Sequence, residues 1–147
     1  MSLSLEEIKE MAEKDLVMDS VELDKEALRI PQLHNKYLNF LTQAKMLYKK
    51  QELDFLYFRK SKWEYYTGKI SDEEREAKNW PVFQHRILKQ DIPIYMDGDT
   101  ELSEKLLKLE YTKQKIEFLE STIKGIMNRH WVIRSTIDWK KFTNGVG

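Results

Sequence analysis

The sequence predicts a mainly α protein: long helices, a C-terminal coiled-coil-like helix, and an irregular middle with room for one short strand. Three observations carry this. Only five Gly and three Pro punctuate 147 residues, which leaves few places to end a helix. Charged residues make up 34% of the chain, as in long solvated helices. Apolar residues recur three and four apart over two long stretches, the period of a helix face. A hydrophobic content of 41% suffices for a core, so one domain over residues 1–147 is expected.

Residues 1–30 read as acidic N-terminal helices. Ser4 followed by Glu7 has the pattern of a capping box, and Leu5, Ile8, Met11 and Ala12 mark one face of a helix ending near Asp15 or Leu16. A second short helix is predicted over about Leu23 to Arg29, with Ile30 kept non-helical by Pro31. Pro31 then suits the first position of a new helix, which fills residues 31–68 and stops at Gly68 as a left-handed cap.

On a wheel of 100° per residue, Leu33, Tyr37, Phe40, Ala44, Tyr48, Phe55, Phe58 and Tyr66 share one arc, the expected buried face. Lys45, Lys49, Arg59 and Lys60 share the adjoining face, with Leu56 and Trp63 among them. Trp63 and Tyr65 lie off the apolar arc and are candidates for stacking on bases. Lys62 lies near the arc, where it must snorkel or meet a neighbouring chain.

Residues 69–100 form a variable linker. Ser71 to Lys78 reads as one or two helical turns, with Ser71 and Glu74 as a second box, ending before Trp80-Pro81. Ile87 to Met96 alternates around Pro93 and suits a short edge strand or an extended arm. Asp97-Gly98-Asp99 is a turn; Pro93 and Tyr95 occupy positions where a calcium loop needs acids.

Thr100 is expected to cap the last long helix, in the C-terminal region 101–147. Leu102, Leu109, Ile116, Ile123, His130 and Ile137 recur every seven residues, with Thr112, Leu119, Ile126 and Ile133 at the complementary spacing. The pattern suits a helix packed on its own domain or a seam between subunits. Two long helices with a thin remainder make a poor globule, so an intersubunit seam is expected, with Leu109, Ile116, Leu119, Ile123, Ile126 and Ile133 carrying it. Asn128-Arg129-His130 is expected to bend or break the helix.

Chemistry is sparse. There is no phosphate loop and no glycine fingerprint. His34, His85 and His130 share no spacing with acidic partners, and the carboxylates mostly fall at pairing distance from Lys, as Glu104 does from Lys108. With no Cys there are no disulfides or thiolate metal sites. No enzyme activity, cofactor or metal is expected. No run of eighteen apolar residues spans a membrane, and Met1 to Glu7 lacks the regions of a signal peptide.

Zero net charge hides an uneven distribution: −6 over residues 1–28, +5 over 29–68, −3 over 69–101 and +4 over 102–147. A local basic segment rich in aromatics suits single-stranded nucleic acid, because cations hold phosphates and rings stack on bases. The alternative is a helical adaptor or structural oligomer that binds only proteins.

The segment Lys60-Ser61-Lys62-Trp63-Glu64-Tyr65-Tyr66-Thr67-Gly68 resembles a motif of the UvsY family of recombination mediators from T-even-type phages and cyanophages. Glu13-Lys14-Asp15-Leu16 with Asp19 and Leu23, and the run from Phe118-Leu119-Glu120 through Lys124, Asn128-Arg129, Ile133 and Trp139 to Phe142, extend the likeness over almost the whole chain. The resemblance implies a ring-like homo-oligomer, acting in the cytoplasm of an infected host. It would bind single-stranded DNA coated by the phage single-strand-binding protein and help a RecA-like recombinase of the UvsX type to load, without using a nucleotide. It assigns DNA contact to Lys60 and Lys62, and assembly to the region from Ile116 to Ile137. With the wheel, the expected DNA-binding set is Lys45, Lys49, Arg59, Lys60, Lys62, Trp63 and Tyr65.

Overall fold

A computed structural model describes residues 3–145; the outer ends of the first and last predicted segments, residues 1–2 and 146–147, lie outside it. Among the described residues five α-helices and one 3₁₀ turn follow in order: α1 (Leu5–Asp15), α2 (Leu23–Thr67), α3 (Asp72–Ala77), the 3₁₀ turn (Lys89–Asp91), α4 (Ile92–Asp97) and α5 (Thr100–Thr143). The chain forms two compact units, Met1–Met46 with Lys113–Gly147, and Leu47–Thr112. Their limits fall inside α2 and α5, so each long helix contributes to both.

In the first unit, α1 starts where Ser4 Oγ accepts the Glu7 N–H at 3.1 Å. Its buried Ile8 and Ala12 join Leu33, Tyr37, Leu41 and Ala44 of α2 and Leu119, Ile123 and Ile126 of α5 in one apolar core. The heptad residues expected to form a subunit seam therefore pack within one chain. Leu119, Ile123, Ile126 and Ile133 are buried here, with Ile116 packed against the core. Leu109 is buried in the second unit. The helix packs on its own fold because α1 and α2 supply the missing apolar surface.

The break predicted at Ile30-Pro31 is absent, since α2 runs through Pro31. Proline removes one N–H bond, to the Ala27 carbonyl, early in a 45-residue helix. Ion pairs hold the residues on either side. Arg29 donates to Glu26 at 2.9 Å and to the Asp15 carbonyl at 2.9 Å, and Lys36 Nζ lies 2.6 Å from Asp15 Oδ2. The predicted bend at Asn128-Arg129-His130 is likewise absent from α5. Arg129 faces inward, donating to Glu26 at 2.6 Å and to the Leu16 carbonyl at 3.0 Å. Its long side chain thus ties α5 to the start of α2 and the end of α1.

In the second unit α2 ends in a Schellman cap. Gly68 takes φ +75°, and the N–H groups of Gly68 and Lys69 donate to the carbonyls of Tyr65 and Glu64. The Ser71 box starts α3 as predicted, with Ser71 Oγ accepting the Glu74 N–H at 3.1 Å. A second left-handed residue, Asn79 at φ +58°, turns the chain back at Trp80. Among the described residues there is no strand. Ile87 to Met96 instead forms the 3₁₀ turn and α4, with Pro93 in the first turn of α4, where a missing N–H does no harm. Asp99, rather than Thr100, caps α5, its Oδ1 accepting the Leu102 N–H at 3.0 Å.

Candidate nucleic-acid interface

The expected buried arc holds in the first unit and moves in the second. Tyr37, Leu41, Ala44, Lys62 and Tyr65 are all buried, and Tyr48, Gln51, Phe55 and Phe58 are half-buried. These positions alternate four and three apart, a 3.5-residue repeat. On a straight helix such a stripe drifts about 20° per heptad, or roughly 80° between Tyr37 and Tyr65. A fixed wheel therefore leaves Tyr65 off the arc although it turns inward, whereas Lys62, which the wheel put near the arc, is buried there.

Lys62 is 4% exposed. Its ammonium lies 2.9 Å from Asp99 and 3.0 Å from Glu101, and 4.1 Å from the centroid of Trp80, with Tyr65 and Phe58 completing the cage. Tyr66 donates to Asp99 at 2.6 Å, Trp80 Nε1 to Glu101 at 2.9 Å, and Tyr65 to the Pro81 carbonyl at 2.7 Å. Burial alone would raise the Asp99 pKa; the Tyr66 hydroxyl, Lys62 and the Leu102 N–H overrule it and hold the carboxyl below 3.8. Burial and the same carboxylate push the Tyr66 hydroxyl upward. The cage ties α2 to the segment after α3 and to the start of α5. Tyr65, expected as a stacking residue, is 8% exposed and belongs to this cage, with its ring against Trp80 and Phe83.

The remaining expected residues lie outward. Lys45, in the first unit, is exposed with its ammonium 3.8 Å from Glu120. In the second unit Lys49 lies 3.1 Å from Glu52 and Lys60 3.8 Å from Glu64. These exposed pairs are worth less than about 1 kcal/mol, so a phosphate can displace the carboxylates. Among the described residues no carboxylate comes within 4.0 Å of Arg59, Lys69 or Lys89. Trp63 is 40% exposed, one turn after Arg59 and Lys60.

Sequence reasoning missed what surrounds Trp63. The Gly68 cap reverses the chain, and Lys69 Nζ stands 4.7 Å over the indole. A cleft of about 530 Å³ opens beside it, lined by Arg59, Trp63 and Lys69 on one side and by Ile92, Pro93 and Met96 of α4 on the other. A basic residue just after a predicted glycine cap was the available signal for Lys69. The wall from α4 had none, since that stretch read as a strand or arm.

Residues 11–146 match the model of a family described as recombination, repair and ssDNA binding protein UvsY. The chain belongs to the UvsY family. It is 23% identical to the recombination protein UvsY of Enterobacteria phage T4 over 143 residues, 97% of this chain and 99% of that one. Two crystal forms of the bacteriophage T4 recombination mediator protein UvsY share its fold at 22% identity, with TM-scores of 0.84 and 0.83. They cover 97% and 95% of this chain, and 98% and 99% of theirs. The motif that suggested UvsY, Lys60 to Gly68, thus forms the end of α2, with one lysine outside and the other inside. Among the described residues no group of His, Asp and Glu is gathered to hold a metal, and no helix is long and apolar enough to cross a membrane.

Proposed function

We propose that this UvsY-family protein binds single-stranded DNA as a ring-like oligomer and promotes loading of a RecA-like recombinase onto DNA coated by single-strand-binding protein. The observation that carries the reading is the row of exposed cations on α2, Arg59 and Lys60 above all, beside a half-open Trp63 in a chain of this family. One subunit offers few phosphate contacts. Repetition of the same surface around an assembly raises the effective concentration and makes binding strong. Lys45 and Lys49 add further cations, whereas Lys62 and Tyr65 act on DNA by shaping the unit that presents the row.

Assembly is assigned to exposed residues at the end of α5, because the heptad residues are occupied inside the chain. Trp131, Val132, Trp139 and Phe142 are all exposed, with Trp139 and Phe142 stacked at 5.9 Å. Such a cluster on a soluble surface suits self-association. The protein would act in the cytoplasm of an infected host.

Anisotropy of labelled single-stranded DNA tests the binding step. Affinity should fall with salt at a slope near −0.7 per neutralised phosphate; a flat response would favour a protein-only adaptor. The mediator step is tested by the nucleation lag of a RecA-like recombinase on coated DNA, which the protein should shorten.

A further inference from the structure

We propose that the cleft between the end of α2 and α4 is a nucleobase pocket, in which one base of single-stranded DNA stacks on Trp63 against the wall formed by Pro93 and Met96. The inference rests on the single-strand reading above and adds a particular base site to it.

Three observations carry it. The cleft holds about 530 Å³, within the range of small-molecule sites, and a smaller neighbouring hollow shares Arg59, Trp63 and Met96. Its floor is an indole that is 40% exposed, although the neighbouring aromatics Tyr65 and Trp80 are buried in the Lys62 cage. Its rim is charged for a polyanion. Arg59, Lys69 and Lys89 line it, none with a carboxylate within 4.0 Å among the described residues, and Asp97 is the one acid lining it among them.

A base is the occupant that this chemistry fits. It presents a flat π-face to Trp63 and an adjoining phosphate to each side. Lys69 now stands over the indole, and a cation at an exposed ring is held more weakly than a stacked base. Lys69 can therefore give up the ring and take a phosphate. Simple salt-bridge binding along α2 needs neither the indole nor α4. A pocket also gives a use to Pro93 and Met96, neither of which is buried.

The test compares a fluorescein-labelled oligothymidylate with an abasic oligomer of the same length, on the intact protein. Wild type should prefer the oligothymidylate by at least about fivefold at every salt concentration, the effect of one lost stack. Trp63→Ala should bind both oligomers alike, with an unchanged salt slope and unchanged helix content, and Trp63→Phe should keep most of the preference. Met96→Glu, which puts a carboxylate in the cleft, should weaken binding of the oligothymidylate. Lys89→Ala should reduce the salt slope by about 0.7 and keep the preference.

Trp63→Ala that still discriminates like wild type overturns the pocket. So does Met96→Glu that binds like wild type, since the stack would then lie outside the cleft. Either result leaves salt-dependent binding by wild type intact. Absence of that wild-type binding overturns the single-strand reading itself.

Discussion

Replacing Lys62 by Ala should damage the fold before it damages any contact with DNA. The substitution removes the cation from between Asp99 and Glu101 and leaves Asp99, whose side chain is 5% exposed, facing a void. Breaking a buried ion pair from one side destabilises by about 3–5 kcal/mol. Asp99 keeps its bonds from Tyr66 and Leu102, and Glu101 is half open to water, which favours the lower end. The lost contact with Trp80 at 4.1 Å adds to it. An expected loss of about 3 kcal/mol lowers the melting temperature by roughly 6–12 °C, at 2–4 °C per kcal/mol. Lys60→Ala is the control. That side chain is 73% exposed, with its ammonium 3.8 Å from Glu64, so its removal should shift stability by no more than about 0.5 kcal/mol. Thermal unfolding by circular dichroism reads the difference. Hydrogen exchange should show residues 80–99 losing protection in Lys62→Ala alone. If Lys62→Ala melts within 2 °C of wild type, with exchange unchanged, and still loses DNA, the cage argument is refuted and Lys62 touches the strand.

The other predictions concern acid stability, the helix cap and assembly. Asp99 and Asp15 have pKa values held below 3.8 in the folded chain. The unfolded chain therefore takes up protons first, and stability should fall as pH drops below about 4; Asp99→Asn should flatten part of that acid limb in urea titrations. Gly68→Ala meets no atom within 4 Å but must hold φ +75°, so a loss of about 1 kcal/mol is expected from backbone strain alone, read by urea unfolding. Ile123→Asp should unfold the first unit because that side chain is in its core. Phe142→Asp should instead lower the sedimenting mass with helix content unchanged, and unchanged mass would remove the end of α5 as the assembly surface.

Much of the fold was legible because local rules agreed with the tertiary outcome. Ser4 and Ser71 cap their helices as their spacing implied, and Gly68 ends α2. Misreadings arose where a tertiary partner outweighed a local preference. Pro31 sits inside a helix whose neighbouring turns are held to α1 by a hydrogen bond from Arg29 to the Asp15 carbonyl and an ion pair from Lys36 to Asp15. Asn128 to His130 stay helical where Arg129 reaches Glu26. The α4 segment alternates like a strand, but Pro93 serves equally well in a first helical turn.

From the residues alone came the long helices, the basic end of α2, the absence of a phosphate loop and the motif shared with UvsY. The tertiary structure decided which of those residues face water. Lys60 and Lys62 are two positions apart, about 200° around a helix, so they face opposite ways; what closes over Lys62 is tertiary, the Asp99 and Glu101 carboxylates and the Trp80 ring. It also decided that the heptads of α5 close on their own chain, and that Trp63 stands beside α4. Such pairings depend on residues distant in sequence, so no local period encodes them.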